Sequence, residues 1–329
     1  MQHGSNTESD SNAPSLGLIE AARARIAGMA IRTPLIRLAH WGKTEIYLKL
    51  ESLQPVGSFK IRGAANAVLS LSESERAAGV VTASAGNFAQ GLGFVTQRLG
   101  VRTTAMVPDN AALSKLTALE RLGVILEKVP FARWWEVVQD PRRYTAAGYF
   151  IHPAANRAVM AGNGTIALEI LEEIQPACVL VPYGGGGLTV GIATALRGLG
   201  CKARVLGVES RAGTPLAAAL AARRPVAVDF DPRTFVTGIG SSRILDVMWP
   251  LVSTAVVGAL SVSAAAIATA IRLLVEKHHV VVEGAGAAPV AAALEGGLGE
   301  GPVVCVVSGG HLDSADLVRI LSGGVPGEG

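Results

Sequence analysis

The chain has 329 residues, of which 50% are hydrophobic and only 17% are charged, and its formal net charge is +3. This weak charge, without a cluster of lysine and arginine, excludes the footprint of a nucleic-acid-binding protein, and no apolar run is long enough to cross a membrane. The length suffices for two domains, and the many glycine, alanine and valine residues favour α/β layers of strands, tight turns and helices.

Cysteine usage and the amino terminus indicate the cellular compartment. Cys178, Cys201 and Cys305 lie in or beside apolar runs and lack C-x-x-C spacing, so no disulfide framework is expected and a reducing cytoplasm fits best. Residues 1–14 are polar and lack the apolar core of a signal peptide, so we expect this segment to be disordered.

The first third of the chain predicts alternating helices and strands. Ser15 can cap a helix that runs to about Met29, because apolar residues recur there at helical spacing. The other elements predicted up to residue 129 are strands over 45–50, 80–83, 102–107 and 124–129 and helices over 59–71 and 114–122.

Lys60 stands near the start of the helix predicted over 59–71, in the run GSFKIRGA at residues 57–64. Burial penalises the charged form of a lysine and lowers its pKa, and a neutral amine can condense with a carbonyl. The small residues that follow would let the helix pack tightly under a flat ring. We therefore hypothesise that Lys60 holds an aldehyde cofactor, pyridoxal phosphate, as a Schiff base. The alternative is an exposed lysine at a helix start.

A turn of small residues, SAGNFAQG at 84–91, follows the predicted strand at 80–83. Backbone N–H groups at the start of the next helix have no partner within that helix, so such a turn can bind an anion such as a carboxylate. Asn87 adds a side-chain donor and acceptor. The stretch can equally be an ordinary strand-to-helix turn capped by Ser84 or Asn87.

Four consecutive glycines follow the apolar run at 178–182, which reads as a buried strand, and precede Leu188 and a helix predicted over 190–199. Glycine backbone can wrap a phosphate, and the helix start behind it supplies N–H donors and a favourable dipole. Neither P-loop nor dinucleotide-binding spacing is present, so a monophosphate is sufficient. The alternative is that the four glycines form a flexible linker. Their position between a strand and a helix disfavours this alternative.

The remaining sequence completes the predicted elements. Asn163-Gly164-Thr165 is expected to precede a helix that reaches about Ile174, and Ser308 directly follows the last predicted strand. The other predictions are strands over 203–209 and 303–307 and a helix over 264–277. Residues 71–151 are expected to form a small domain inserted between 15–70 and 152–329, the two parts of a large cofactor-binding domain.

Lys60, the turn at 84–91, the glycine run and Ser308 occur in an order that resembles the fold-type II pyridoxal-phosphate enzymes, specifically the serine/threonine dehydratase family. The similarity extends from about Ala30 to Leu321. It implies an α/β fold with two open twisted-sheet domains, of the tryptophan synthase β-like architecture. The motifs are specific to the family and less specific to the reaction.

The resemblance implies a role for each matched residue. Lys60 bonds to the cofactor and, once substrate displaces it, moves the α-proton, and Phe59 packs against the cofactor ring. The other cofactor residues are Asn87 at the 3-hydroxyl, Gly184, Gly185, Gly186, Gly187 and Leu188 at the phosphate, Glu283, and Ser308 at the pyridine nitrogen. The substrate residues are Ser84, Ala85, Gly86, Asn87, Phe88 and His311. Because a serine hydroxyl cannot fully protonate the pyridine ring, this arrangement favours expulsion of a β-substituent.

The implied activity is that of a carbon–oxygen lyase. An L-3-hydroxy amino acid, either L-threonine, L-serine or a bulkier analogue, would be converted to a 2-oxo acid and ammonia by α,β-elimination. The resemblance also implies a homodimer, with a small amino acid as ligand and neither nucleic acid nor membrane as partner. The chain stops after the last predicted strand and helix, so we expect neither a regulatory domain nor feedback inhibition.

Some positions depart from the family pattern. Phe88 stands where dehydratases usually have histidine and His311 where they usually have asparagine, changes that suit a larger or less polar substrate side chain than that of threonine. Asn156 and Asn163 also replace the common aspartate and glutamine. Glu209 has no acidic partner at 210–215, so we predict that the divalent-metal site of some members is absent or weak.

Two other functions compete with elimination. A racemase or β-replacement enzyme on the same fold is disfavoured because Ala85 replaces a serine of related racemases, and because replacement enzymes usually carry a threonine near Phe88. A binding protein without activity is disfavoured because Lys60, Asn87 and Ser308 are present together with the glycine run.

Overall fold

The computed structural model describes residues 13–38 and 44–327. Within them, helices alternate with strands that form two separate sheets, which confirms the predicted α/β class. The disorder prediction for residues 1–14 falls mainly on residues 1–12, which lie outside this range. No helix of the described segments is long and apolar enough to cross a membrane.

Strands of two to seven residues build the sheets. In chain order they are β1 (Leu35–Arg37), β2 (Ile46–Lys49), β3 (Val80–Ala83), β4 (Thr103–Pro108), β5 (Ile125–Val129), β6 (Tyr149–Phe150), β7 (Cys178–Pro182), β8 (Arg204–Ser210), β9 (Gly258–Val262) and β10 (Val303–Val306).

Helices cover the sheets and carry the connections between strands. In chain order they are α1 (Leu16–Arg25), α2 (Lys60–Leu69), α3 (Glu73–Ala77), α4 (Asn87–Leu99), α5 (Leu113–Arg121), α6 (Phe131–Gln139), α7 (Arg157–Leu171), α8 (Gly187–Gly198), α9 (Pro215–Ala222), α10 (Trp249–Ala255), α11 (Ala264–His278), α12 (Gly284–Glu295) and α13 (Ser314–Leu321).

The larger sheet has the strand order β1-β2-β10-β7-β8-β9, and only its β1–β2 pair is antiparallel. The smaller sheet has the order β5-β4-β3-β6 and is parallel throughout. Ligands of open parallel sheets bind outside the carboxyl ends of the strands. The turns that follow β3, β7 and β10 lie at such ends, and they contain most of the predicted site residues.

Strand β7 shows why a strand inside the larger sheet consists of consecutive apolar residues. All five of its residues are buried. Cys178 and Leu180 belong to one hydrophobic cluster, while Val179 and Val181 belong to another. Because side chains alternate between the faces of a strand, helices must cover both faces of this sheet.

The prediction that Asn163-Gly164-Thr165 precedes a helix is wrong, because these residues lie inside α7. That helix begins at Arg157, and the N–H of Val159 donates to the side-chain oxygen of Asn156 at 3.0 Å. A Cβ on Gly164 would lie 2.8 Å from the carbonyl oxygen of Gly191, so glycine allows close packing of α7 against α8.

Other differences from the predictions concern helix ends and missed elements. Helix α1 begins after Ser15, whose hydroxyl accepts from the N–H of Leu18, but it ends at Arg25 rather than near Met29. Strand β9 and helix α12 were not predicted. Strand β9 is a partly buried edge strand, and α12 contains an internal proline, Pro289.

Candidate active site

A cavity of about 670 Å³ lies at the turns that follow β3, β7 and β10. Its volume is typical of small-molecule sites. The predicted site residues that line it are Phe59, Lys60, Ser84, Gly86, Asn87, Phe88, Gly184, Gly185, Gly186, Gly187, Leu188, Glu283, Ser308 and His311. The structure thus brings together side chains from separate stretches of sequence.

Lys60 is held in place by backbone hydrogen bonds between its segment and the turn after β10. The N–H of Phe59 donates to the carbonyl of Ser308 at 3.0 Å, and the N–H of Gly310 donates to the carbonyl of Gly57 at 2.8 Å. Lys60 is the first residue of α2, so its side chain leaves a rigid element at a fixed point.

The amine of Lys60 lies near two aromatic rings. Its Nζ is 4.9 Å from the ring centroid of Phe59 and 5.9 Å from that of Phe88. Burial in this apolar surrounding lowers the pKa of Lys60 to about 8, while the nearby carboxyl of Glu283 opposes that shift. An appreciable share of this amine is therefore neutral, and nucleophilic, near neutral pH.

A buried ionic network anchors the helix that carries Lys60. The guanidinium of Arg62 donates to both carboxyl oxygens of Glu51 at 2.8 Å and to those of Glu169 at 2.6 and 2.8 Å. Lys49 donates to Glu169 at 2.5 Å and to the carbonyl of Thr33 at 2.7 Å. Two buried cations are thus paired with two buried anions. The sequence contains no pattern that identifies this network.

Asn87 and Glu283 form a polar pair at the side of the cavity. The Asn87 amide nitrogen donates to both carboxyl oxygens of Glu283, at 2.9 and 3.1 Å. Burial raises the pKa of Glu283 to about 7, and the hydrogen bond from Asn87 opposes the rise. A Cβ on Gly309 would lie 2.3 Å from Glu283 Oε1, so glycine is needed opposite this carboxyl.

The turn between β3 and α4 faces the cavity through Ser84, Gly86, Asn87 and Phe88. The first N–H groups of α4 lack partners within the helix, which makes this turn able to bind a carboxylate. Ala85 is the predicted site residue that does not line the cavity. Its methyl group instead packs against the hydrophobic cluster around α5 and β4.

The glycine run has the shape of a phosphate cradle. Helix α8 begins at Gly187, and Gly186 adopts a left-handed backbone with φ of +85°. A Cβ on Gly184 would lie 2.6 Å from the carbonyl oxygen of Gly238, and one on Gly185 would lie 2.7 Å from the Cβ of Ala154. Only bare backbone fits here, and its N–H groups are free to meet a phosphate. These residues therefore fit a phosphorylated cofactor.

Ser308 and His311 differ in exposure although both follow β10. Ser308 is 3% exposed, whereas His311 lies at the mouth of the cavity with its ring over Gly57. Partial burial lowers the pKa of His311, and the charge of Lys115 adds to this effect. His311 is therefore mostly neutral at pH 7 and accessible to a ligand.

Sequence reasoning missed several lining residues. Lys115 on α5 lines the cavity and carried no sequence signal, since α5 reads as an ordinary amphipathic helix. The run at 237–239 also lines it, where the glycines of Thr237-Gly238-Ile239-Gly240 could have served as a signal. Pro153 and Ala154 complete the wall beside the glycine run.

The carboxyl group of Glu209, near the end of β8, accepts hydrogen bonds from backbone N–H groups. One of its carboxyl oxygens accepts from the N–H of Leu216 at 2.7 Å and the other from that of Ala217 at 3.0 Å, at the start of α9. Among residues 13–38 and 44–327, no group of three or more histidine, cysteine, aspartate or glutamate side chains could hold a metal ion.

Comparisons with known proteins identify the family. A family described as pyridoxal-phosphate dependent enzyme matches residues 26–309. The chain is 41% identical to an L-threonine ammonia-lyase of Thermotoga maritima over 285 residues, covering 85% of this chain and 71% of the relative. It is 35% identical to a catabolic L-threonine dehydratase of Staphylococcus aureus, covering 94% of this chain and 93% of the relative.

Solved structures agree with this assignment. The T.th. threonine deaminase superposes with a TM-score of 0.81 at 35% identity, covering 91% of this chain and 99% of that one. Maize serine racemase superposes with a TM-score of 0.83 at 28% identity, covering 94% of this chain and 98% of that one. The predicted fold-type II architecture and cofactor are thus confirmed. The chain belongs to the pyridoxal-phosphate dependent enzymes, in the serine/threonine dehydratase family.

Proposed function

We propose that this chain is a pyridoxal-phosphate-dependent ammonia-lyase that converts an L-3-hydroxy amino acid to a 2-oxo acid and ammonia. The observation that carries this proposal is the partly neutral amine of Lys60, which shares one cavity with a glycine cradle shaped for phosphate. Relatives named L-threonine ammonia-lyase support the reaction type, and L-threonine and L-serine are the first candidate substrates.

The residues around the cavity would hold the cofactor at three points. The backbone N–H groups between Gly184 and Leu188 would bind its phosphate, Ser308 would donate to its ring nitrogen, and Asn87 would lie at its 3-hydroxyl. When bound, pyridoxal phosphate supplies an electron sink for the electron pair left at the substrate α-carbon. A neutral serine partner favours loss of a β-substituent over a long-lived carbanion.

Lys60 performs the proton chemistry in this proposal. Its amine would hold the cofactor until substrate displaces it, and the freed neutral amine would then take the proton from the α-carbon. The N–H groups of the turn at 84–88 hold the substrate carboxylate and so orient that carbon. The α-proton and the β-hydroxyl together account for one water lost, and one water is consumed when ammonia is released. The net products are one 2-oxo acid and one ammonia per amino acid.

The cavity lining near Lys60, where the substrate side chain would lie, suits apolar groups. The Phe88 ring is 2% exposed and lies close to the Lys60 amine, so it presents carbon where a histidine would present a polar nitrogen. We propose that 3-hydroxy amino acids bulkier than L-threonine are also accepted.

A racemase is the second candidate, because the chain superposes well on maize serine racemase. Racemisation needs a proton donor on the second face of the α-carbon. Ala85 carries no such group and its methyl packs away from the cavity. Elimination therefore remains the better-supported reaction.

The test is product release from L-threonine and L-serine by the cofactor-loaded protein. We expect 2-oxo acid and ammonia in equal amounts and their loss in Lys60→Ala. Exchange of the α-hydrogen with deuterated water, without release of 2-oxo acid, would instead identify a racemase.

We further propose a cytoplasmic homodimer whose small domain spans 71–151. Free cysteines support a reducing compartment, and the compact four-stranded sheet between residues 80 and 150 supports the domain boundary. Analytical ultracentrifugation and cell fractionation test assembly and location. A monomer at micromolar concentration would contradict the first.

A further inference from the structure

His152 lies between the smaller sheet and the glycine cradle. It follows β6, which pairs with β3, and the N–H of the preceding Ile151 donates to the carbonyl of Val81 at 2.7 Å. The His152 side chain is 2% exposed. Burial lowers the pKa of His152 to about 4, and the charge of Lys60 adds to this effect. A buried histidine whose pKa senses the Lys60 charge is either a proton carrier or a structural element.

The hydrogen bonds of His152 decide between these roles. Its Nε2 lies 2.9 Å from the carbonyl oxygen of Val138 in the last turn of α6, and a carbonyl only accepts, so Nε2 carries the hydrogen. Its Nδ1 accepts from the N–H groups of Ala154 at 3.0 Å and Ala155 at 2.7 Å. Both ring nitrogens are therefore occupied in one neutral tautomer, and the ring has no free position from which to exchange a proton with substrate.

The two amides that His152 fixes belong to the turn that packs against the glycine cradle. A Cβ on Gly185 would lie 2.7 Å from the Cβ of Ala154, and a Cβ on Gly187 would lie 2.8 Å from the carbonyl oxygen of Ala154. Ala154 also lines the cavity. Any movement of Ala154 therefore changes the surface against which the cradle rests.

We propose that His152 is a positioning residue that braces the turn at 153–155 against Gly184–Gly187 and thereby sets the affinity of this cradle for the cofactor phosphate. This inference rests on the proposed phosphate-binding role of the glycine cradle. Through Val138, the same imidazole also fastens α6 to the turn. The cradle is thus held from the outside by a side chain that does not touch the ligand.

A comparison of two ligands isolates this effect. Pyridoxal has the same aldehyde and ring as pyridoxal phosphate but lacks the phosphate, so the ratio of their dissociation constants reports the contribution of the cradle. The ratio is measured by absorbance titration of cofactor-free protein, for the unchanged chain and for His152→Phe and His152→Asn. Phenylalanine keeps the ring volume without an acceptor, whereas asparagine places an acceptor oxygen near the position of Nδ1.

Because His152→Phe leaves two buried amides without their acceptor, we expect it to lower the preference for pyridoxal phosphate over pyridoxal about tenfold. His152→Asn is expected to restore most of that preference, since its oxygen can accept from the turn. His279→Asn, the same substitution at an exposed position whose left-handed backbone suits asparagine, is the control and should leave the ratio unchanged.

The outcomes are distinguishable. If the unchanged chain does not prefer pyridoxal phosphate, the proposed role of the cradle fails. If it does, but His152→Phe keeps the same ratio, or His152→Asn is as impaired as His152→Phe, the positioning role is overturned. Should His152→Phe not fold, His152→Ala takes its place, because it also removes the acceptor of the Ala154 and Ala155 N–H groups. It must then weaken competition by inorganic phosphate relative to His152→Asn, and equal competition constants in the two variants would overturn the positioning role.

Discussion

Replacement of Arg62 by methionine tests whether the buried ionic network holds the helix that presents Lys60. Arg62 is 1% exposed and makes four hydrogen bonds to the carboxyl oxygens of Glu51 and Glu169. Methionine fills much of the volume but leaves Glu51 without a cation in contact, since Lys49 contacts Glu169. Breaking a buried ion pair from one side costs about 3–5 kcal/mol.

The assay is urea unfolding of the cofactor-loaded protein at pH 7 and at lower pH. Burial opposes ionisation of Glu51, but Arg62 holds the pKa of this carboxyl below its ordinary value. In the unchanged chain, the stability that ionised Glu51 contributes is therefore lost as the pH falls through that lowered pKa. In Arg62→Met the pKa of Glu51 rises above its unfolded value, and protonation then relieves the penalty. The stability difference should therefore be largest at pH 7 and shrink toward pH 5.

The matched control is Arg133→Met, which removes an exposed ion pair with Glu136 at 3.3 Å. Its expected effect is within about 0.5 kcal/mol. A cost below about 1 kcal/mol for Arg62→Met, with no dependence on pH, would refute the reasoning.

Three further outcomes are expected. The rate at which pyridoxal phosphate attaches to cofactor-free protein should rise with pH up to about 8 and then level off, because the neutral form of Lys60 is the nucleophile; a rate still rising near about pH 10 would indicate an ordinary lysine. Gly185→Val should release cofactor during dialysis, because its Cβ would press on Ala154; full retention would contradict the tight cradle. Magnesium should leave the melting temperature unchanged, since both oxygens of Glu209 already accept backbone N–H groups; a marked rise would reveal a metal site.

The positions of the glycine run and of Lys60 on one cavity were predictable because they depend on local sequence. A strand, four glycines and a helix start predict a turn of bare backbone without knowledge of the rest of the chain, and the structure places these glycines on the cavity. The same holds for Lys60 at the start of α2. Local turns and buried strands carry their signal in consecutive residues.

Contacts between distant parts of the chain were not predictable in this way. Asn87 donates to Glu283 across 196 positions of sequence, and Arg62 donates to Glu169 across 107 positions. Gly164 illustrates a misleading signal: it looked like a helix start and instead allows two helices to pack closely. Which neighbour a glycine or a buried charge meets is decided by tertiary packing.

The central claim is that Lys60 bonds to the cofactor, and it can be tested directly by reduction. Borohydride treatment of the loaded protein makes the bond between lysine and cofactor permanent, and mass spectrometry of the peptides then locates it. We expect the pyridoxyl group on Lys60, and we expect that Lys60→Ala carries none. Its appearance on Lys115, a second lysine that lines the cavity, would contradict the account.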